Sequence, residues 1–303
     1  MNRLESIVGS KRLEGKRILV TGCGYRPAAH IFQDIVSGEP SHDSIIVDEK
    51  EMKLNIGSAI ACVLAKNGAT VHMISTSPEK LKNLKQSIDT IVGKATTEFT
   101  ALNLLEEEEV RTFVKGLPND KPLYWVQSVG LGAGSYKLKD DNPYLPLEEI
   151  PLELLEQESQ IVLRATHLMM RELLPRFRKQ KESRIAIVSS MSAIRGYSYG
   201  GTHCAAKGAI DRYANAAMLA LYKHNIFVTT IRPGGIDTGM YDNPIVQEAI
   251  MVVSDEYKGQ YRQHQTYAPP TSVGEAITYV FTASAHIPSL NLVAKGQMPN
   301  EGS

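Results

Sequence analysis

Arg17–Gly24 (RILVTGCG) decides the fold, together with Asn55–Ala61 (NIGSAIA), which completes it after an interruption. RILVT is a short β-branched and aliphatic run, apolar on both parities, as in a strand covered on both faces. Glycines follow at once, and Gly57 opens a helical pattern over Ile56–Lys66. Glycines between a strand and a helix let the backbone turn tightly and approach a pyrophosphate, which then sits at the positive end of the helix. Thr21, Gly22, Gly24, Tyr25, Asn55, Ile56 and Gly57 are therefore candidates for dinucleotide binding. Between the two halves lies Arg26–Leu54. A βα connection of about thirty residues is far outside the usual two to six. It reads either as a functional lid or as a tolerated surface insertion, because closure entropy grows slowly with loop length.

Outward from this segment the same rhythm repeats. Strand patterns at Thr70–Ile74, Thr97–Leu102, Leu123–Gln127, Arg184–Ser189, Phe227–Ile231 and Leu290–Ala294 alternate with helical patterns. The helices are Pro78–Ile91, Glu106–Lys115, Glu153–Lys179, Ala205–Tyr222 and Ser272–Thr282. Such alternation predicts an α/β fold, a doubly wound Rossmann-type parallel sheet with helices on both faces. No Pro/Gly/Ser-rich linker divides the 303 residues, so one domain over 1–303 is expected.

Charge narrows the function. Thirty-three basic residues balance thirty-three acidic ones, so electrostatics gives no reason to expect nucleic acid or an anionic membrane as partner. Three scattered cysteines suit neither a disulfide framework nor a zinc site, and no metal is expected. Met1–Lys16 has no apolar run that would make a signal peptide, and no stretch reaches the length of a membrane span. A soluble, cytoplasmic protein with a small-molecule substrate is the expectation.

The motifs in this order resemble the short-chain dehydrogenase/reductase family over about Gly15–Gly296, whose signature after the first strand is TGxxxGxG. Asn55 then stands in place of the middle glycine. The resemblance implies further cofactor contacts. Asn103 and Leu104 lie at the adenine, and Gln127-Ser128-Val129-Gly130 stands for the NNAG motif, with Ser128 and Gly130 facing the cofactor. Arg232–Thr238 (RPGGIDT) matches a PGxxxT clamp on the nicotinamide carboxamide, through Pro233, Gly234, Ile236 and Thr238. At the end of the second strand, an acidic residue would select NAD by binding the ribose 2′-hydroxyl. Ser75 and Thr76 stand there instead, with Lys80 a turn further on, which favours NADP(H) over NAD(H). Ser75 and Thr76 also suit the N-cap of the helix from Pro78, and both roles can hold.

The family pairs a Ser that binds the substrate oxygen with a Tyr that moves its proton and a Lys four residues on that holds the ribose. Ser190 and Lys207 match, but the Tyr position is His203. Residues 203 and 207 share a helix face, so both point to one pocket. Beside Lys207, His203 is expected to be mostly neutral and a weak acid unless a carboxylate restores its basicity. Tyr199 is an alternative phenol. A relay Asn of the family falls on Val162, counted back from Leu174-Pro175, with Gln160 nearby. A lid is implied at 241–267, and helices Glu153–Lys179 and Ala205–Tyr222 are those that pair in the family's dimers and tetramers. The primary expectation is an NADP-dependent reductase of a ketone or 3-oxoacyl-like carbonyl. The alternative is a member that has lost hydride transfer and serves as a cofactor- or partner-binding protein, or as a redox-neutral enzyme such as a dehydratase. His72 and His167 read as packed or half-exposed, and Cys204 as no partner of His203.

Overall fold

The computed structural model describes residues 4, 9, 11–94, 96–130, 147–197, 200–244, 246–247 and 266–296. Seven parallel strands form the central sheet: β1 (Arg17–Thr21), β5 (Thr70–Ser75), β6 (Thr97–Ala101), β7 (Leu123–Gln127), β8 (Ser183–Val188), β9 (Ile226–Pro233) and β10 (Ser289–Leu292). Their spatial order is β10-β9-β8-β7-β1-β5-β6. The chain runs outward from β1 to β6, then returns to β7 on the other side of β1. That reversal opens a crevice at the carboxyl ends of β1 and β7, where doubly wound sheets bind ligands.

Alternate side chains of one strand enter different cores. Ile18 and Val20 pack with helices α1 (Ile56–Lys66), α2 (Pro78–Val92) and α7 (Thr271–Thr282). Leu19 packs on the opposite face with α3 (Glu107–Gly116), α5 (Ala165–Phe177) and α6 (Gly201–Leu221). This double coverage explains why β1 and β7 are buried at every position. Local chemistry sets the helix ends. Ser77 caps α2 by accepting from the Lys80 N–H, Pro78 follows at the first turn, and Gly93 ends the helix in the left-handed region. The cap is thus Ser77, and neither Ser75 nor Thr76 is used for it. Among the described residues no helix is long and apolar enough to cross a membrane.

Two regions differ from the sequence pattern. The helix expected over Glu153–Lys179 is three pieces: α4 (Leu152–Ser159), one wide π turn over Gln160–Arg164, and α5. The long connection after β1 is also structured. β2 (Tyr25–Pro27), β3 (Ser44–Val47) and β4 (Lys50–Leu54) form an antiparallel sheet in the order β2-β4-β3. Asp48 and Glu49 join β3 to β4 with φ of 49° and 61°, the backbone of a two-residue hairpin turn that usually carries Asn-Gly or Asp-Gly. Ile45 and Val47 face inward while Ile46 faces solvent.

The insertion is anchored to α7. Asp43 is buried and accepts from the Thr271 N–H at 2.7 Å and the Thr271 hydroxyl at 3.2 Å. Asp43→Ala removes both acceptors from a buried helix terminus. It should lower stability by about 1–3 kcal/mol, read as a drop in the midpoint of urea unfolding.

Candidate active site

The glycine turn keeps its geometry although the chain leaves it for about thirty residues. Gly22 has φ +87°, and a Cβ there would lie 2.6 Å from the Ser128 carbonyl. A Cβ on Gly57 would lie 2.6 Å from the Gly22 carbonyl. Only glycine allows β1, β7 and α1 to approach this closely. Asn55 holds the two halves together. Its amide donates to the Gly22 carbonyl at 2.8 Å, and its Oδ1 accepts from Gly24 N–H at 3.1 Å and from Ser58 N–H at 2.9 Å. The Ser58 hydroxyl meets the Gly24 carbonyl at 2.8 Å, and its oxygen lies 2.7 Å from the Gly24 nitrogen. Asn55 is therefore both the N-cap of α1 and the clasp of the turn, roles that a glycine there would not fill. Ile56 follows at the first turn of α1, and Thr21 is buried with its hydroxyl on the Val126 carbonyl at 3.2 Å.

Around this turn lie the other expected contacts. Tyr25 is buried, its hydroxyl accepts from Asn83 at 2.9 Å, and its carbonyl accepts from Lys80 at 3.2 Å. Lys80 is thus engaged with the glycine turn. Ser75 ends β5, and its Oγ is buried with no hydrogen-bond partner among the described residues; Thr76 follows it. Asn103 lies beyond β6 and turns the chain by accepting from Leu105 N–H at 3.1 Å, next to buried Leu104. Ser128 bonds through its N–H to the Thr21 carbonyl at 3.2 Å. Pro233 ends β9, and Gly234 follows it, its N–H donating to the Leu292 carbonyl at 2.6 Å. Ile236 pairs with Ala268, and Thr238 follows Asp237.

Two of the three expected chemical residues, His203 and Lys207, lie on α6. Lys207 is buried and donates to the Val188 carbonyl at 3.3 Å. Its Nζ lies 3.2 Å from where a Gly130 Cβ would be, so the glycine makes room for the ammonium. Burial pushes the Lys207 amine down to about 8, and nearby Glu158 opposes that shift. Ser190 caps the turn Met191–Ala193 by accepting from Ser192 N–H at 3.1 Å. The Ala193 carbonyl of that turn lies against Gly208 of α6. Four residues beyond Lys207, Asp211 accepts two bonds from Arg232, at 2.6 and 3.0 Å, which ties α6 to the end of β9.

His203 stands one turn before Lys207, and its Nδ1 lies 3.4 Å from Oε1 of Glu158. Glu158 is 1% exposed, His203 26%. Val162, on which the relay Asn position falls, packs in the core, and the α4 side chain that lies beside His203 is Glu158. An even count back from Pro175 passes through the wide turn at Gln160–Arg164 and loses register. The signal was present, because Leu154, Glu158 and Val162 form one i, i+4, i+8 stripe, and a carboxylate on a core-facing stripe is unusual.

Other candidates drop out of the chemistry. His72 is buried, bonds Thr100 at 2.8 Å, and burial lowers its pKa. His167 pairs with the Tyr213 hydroxyl at 2.9 Å. Burial raises the Cys204 thiol, which argues against a nucleophile. Tyr199 and most of the expected lid at 241–267 lie outside the described residues.

The family model for short chain dehydrogenase matches residues 54–248, and the chain belongs to that family. It is 23% identical over 230 residues to the 3-oxoacyl-acyl-carrier-protein reductase FabG of Rickettsia conorii, covering 76% of this chain and 86% of that protein. It is 32% identical over 80 residues to a 3-ketodihydrosphingosine reductase of Bacteroides thetaiotaomicron, spanning 26% of this chain and 30% of that one. The alcohol dehydrogenase of Thermococcus sibiricus, solved with 5-hydroxy-NADP, shares the fold at TM-score 0.66 and 18% identity, over 94% of this chain and 99% of that one.

The buried Lys207 amine makes stability depend on pH. The unfolded chain holds this proton up to about 10.5 and the folded chain only to about 8. Between those values the unfolded state binds more protons, so stability rises with pH across the window. Lys207→Met should remove that rise, a difference of up to about 3 kcal/mol, read by comparing urea midpoints of the two proteins at pH 8 and pH 10.

Proposed function

We propose that this short-chain dehydrogenase is an NADP-dependent reductase of a ketone or 3-oxoacyl-like carbonyl, with Ser190, His203 and Lys207 at the reacting centre. The observation that carries this reading is the buried Glu158 carboxylate 3.4 Å behind His203. It supplies what an imidazole needs in a position where the family resemblance expects a phenol.

A nicotinamide dinucleotide, when bound, supplies the hydride. The residues present fit such a group. The close approaches at Gly22 and Gly57 bring the N-terminus of α1, the end of a helix that attracts phosphate, against the crevice between β1 and β7. The partnerless Ser75 Oγ, with no carboxylate at Ser75 or Thr76, supports a 2′-phosphate over a free ribose hydroxyl. Ser190 already accepts from Ser192 N–H, which leaves its own proton to donate to the substrate oxygen. His203 gives a proton to that oxygen as the carbonyl carbon is reduced. Glu158 fixes the ring and stabilises the imidazolium that precedes transfer. Lys207 holds the ribose beside Gly130. His203 is exposed enough to regain its proton from solvent. Similarity to the 3-oxoacyl-acyl-carrier-protein reductase of Rickettsia conorii supports a 3-oxoacyl-like substrate. The family resemblance, in which the helices corresponding to α4–α5 and α6 pair across subunits, supports a dimer or tetramer; we assign the assembly to the cytoplasm.

The Glu158–His203 pair also suits a base for redox-neutral elimination, and NADPH consumption separates the two readings. His203→Phe should abolish NADPH oxidation with carbonyl substrates while the fluorescence-titrated affinity for NADPH stays nearly unchanged. Glu158→Gln should lower kcat by about 10²-fold or more. Unchanged turnover in His203→Phe, or no binding of either NADPH or NADH to the wild-type protein, would overturn the proposal. His203→Tyr alone should remain slow, because a carboxylate beside a phenol disfavours its ionised form. Glu158→Asn combined with His203→Tyr should recover steady-state reduction of generic ketones.

A further inference from the structure

Lys53 of β4 is 0% exposed at its side chain. Its amine lies 2.7 Å from Oδ1 of Asp237 and 2.8 Å from Oδ1 of Asp242. Both carboxylates belong to the segment after β9, and Asp237 is itself 0% exposed. The insertion also serves their remaining oxygens. Asp237 Oδ2 accepts from the Ser41 hydroxyl at 2.9 Å and faces His42 Nδ1 at 3.9 Å. Asp242 Oδ2 accepts from the N–H groups of Ala29 and His30 at 3.0 and 3.1 Å. Gly239, between the two aspartates, has φ +76°, and a Cβ there would lie 3.5 Å from both Arg26 Cβ and Lys53 Cδ.

An aromatic layer lies beside these ion pairs. The Lys53 amine lies 5.2 Å from the Phe32 ring centre, Phe32 packs edge-on against Tyr267 at 4.6 Å, and Tyr267 stacks on Tyr241 at 4.4 Å. At its other end the insertion leaves and rejoins the glycine turn, where Asn55 holds Gly24. It therefore spans from the phosphate end of the crevice to the segment 233–238.

We infer that Lys53 is a positioning residue that sets Pro233–Thr238 against the nicotinamide half of the cofactor, making the insertion a selective determinant of that half. This rests on the dinucleotide reading above. Asp237 is flanked by Ile236 and Thr238, two of the residues placed on the carboxamide. Its side chain has no solvent contact, so the backbone of this segment lies where Lys53 holds it. Among the described residues, neither Ser75 nor Asn103 of the adenine end bonds to Lys53, Asp237 or Asp242.

The test uses two probes on the intact protein. NADPH spans both halves of the site, whereas adenosine 2′,5′-bisphosphate (ADP, if NADH proves the tighter cofactor) reaches only the adenine end. Lys53→Met should weaken NADPH by about ten-fold, the equivalent of one misplaced charged hydrogen bond, and leave the fragment unchanged. The fragment also reports that the variant is folded. Asp242→Asn, which keeps the Lys53–Asp237 pair, should show the same selectivity to a smaller degree and covers the case in which Lys53→Met does not fold. Lys53→Arg, retaining the cation, should recover part of the NADPH affinity. Equal losses for both probes, or no loss for either, would overturn the inference. Wild-type protein that binds neither probe would instead remove the dinucleotide reading on which it rests.

Discussion

The structure depends on one buried cation. Lys53 has two carboxylates within 2.8 Å and no solvent. Removing one partner of such a group leaves an uncompensated buried charge, at a cost of about 3–5 kcal/mol. The dependence runs both ways. Without the amine, Asp237 and Asp242 would face each other as like charges in the protein interior. Without the carboxylates, β4 could not bury a lysine. The antiparallel β2-β4-β3 sheet therefore does more than fill space, because it fixes the backbone from which Lys53 reaches the segment after β9.

That arrangement explains how a doubly wound fold tolerates a long excursion at its most constrained turn. A short βα connection fixes the strand and the helix relative to each other through the chain itself. Here side chains replace the chain. Asn55 and Ser58 close the turn locally, Asp43 ties the insertion to α7, and Lys53 ties it to the end of β9. The entropic penalty of the longer loop grows only logarithmically. A few charged or buried hydrogen bonds, at about 1 kcal/mol or more each, offset it.

The sheet was legible in the sequence because its strands are buried on both faces and its helices are amphipathic; β1, β7 and α1 have the limits that the patterns predict. The insertion's sheet was not. Its hairpin turn uses Asp48-Glu49, which lacks the glycine that marks such turns, and its strands span only three to five residues. Local pattern cannot reveal long-range charge pairing either. Lys53 stands in KEMKL beside exposed charges, and nothing there separates a buried amine from a solvated one. Glu158 was within reach, since it interrupts an apolar stripe, but its register was hidden by the π turn that follows it.

The two departures at the chemical end make sense together. A phenol beside an ammonium is already a matched acid, and a carboxylate next to it would oppose its ionisation. An imidazole beside an ammonium has the reverse problem, and a carboxylate corrects it. On the proposed mechanism Glu158 would thus impair the residue expected at 203 and suit the residue found there. The same carboxylate opposes the fall in the Lys207 amine that burial causes. On the proposed mechanism, the tyrosine and the relay asparagine that the resemblance expects are exchanged together for one imidazole–carboxylate pair, His203 and Glu158, within the geometry of the sheet, the glycine turn and α6.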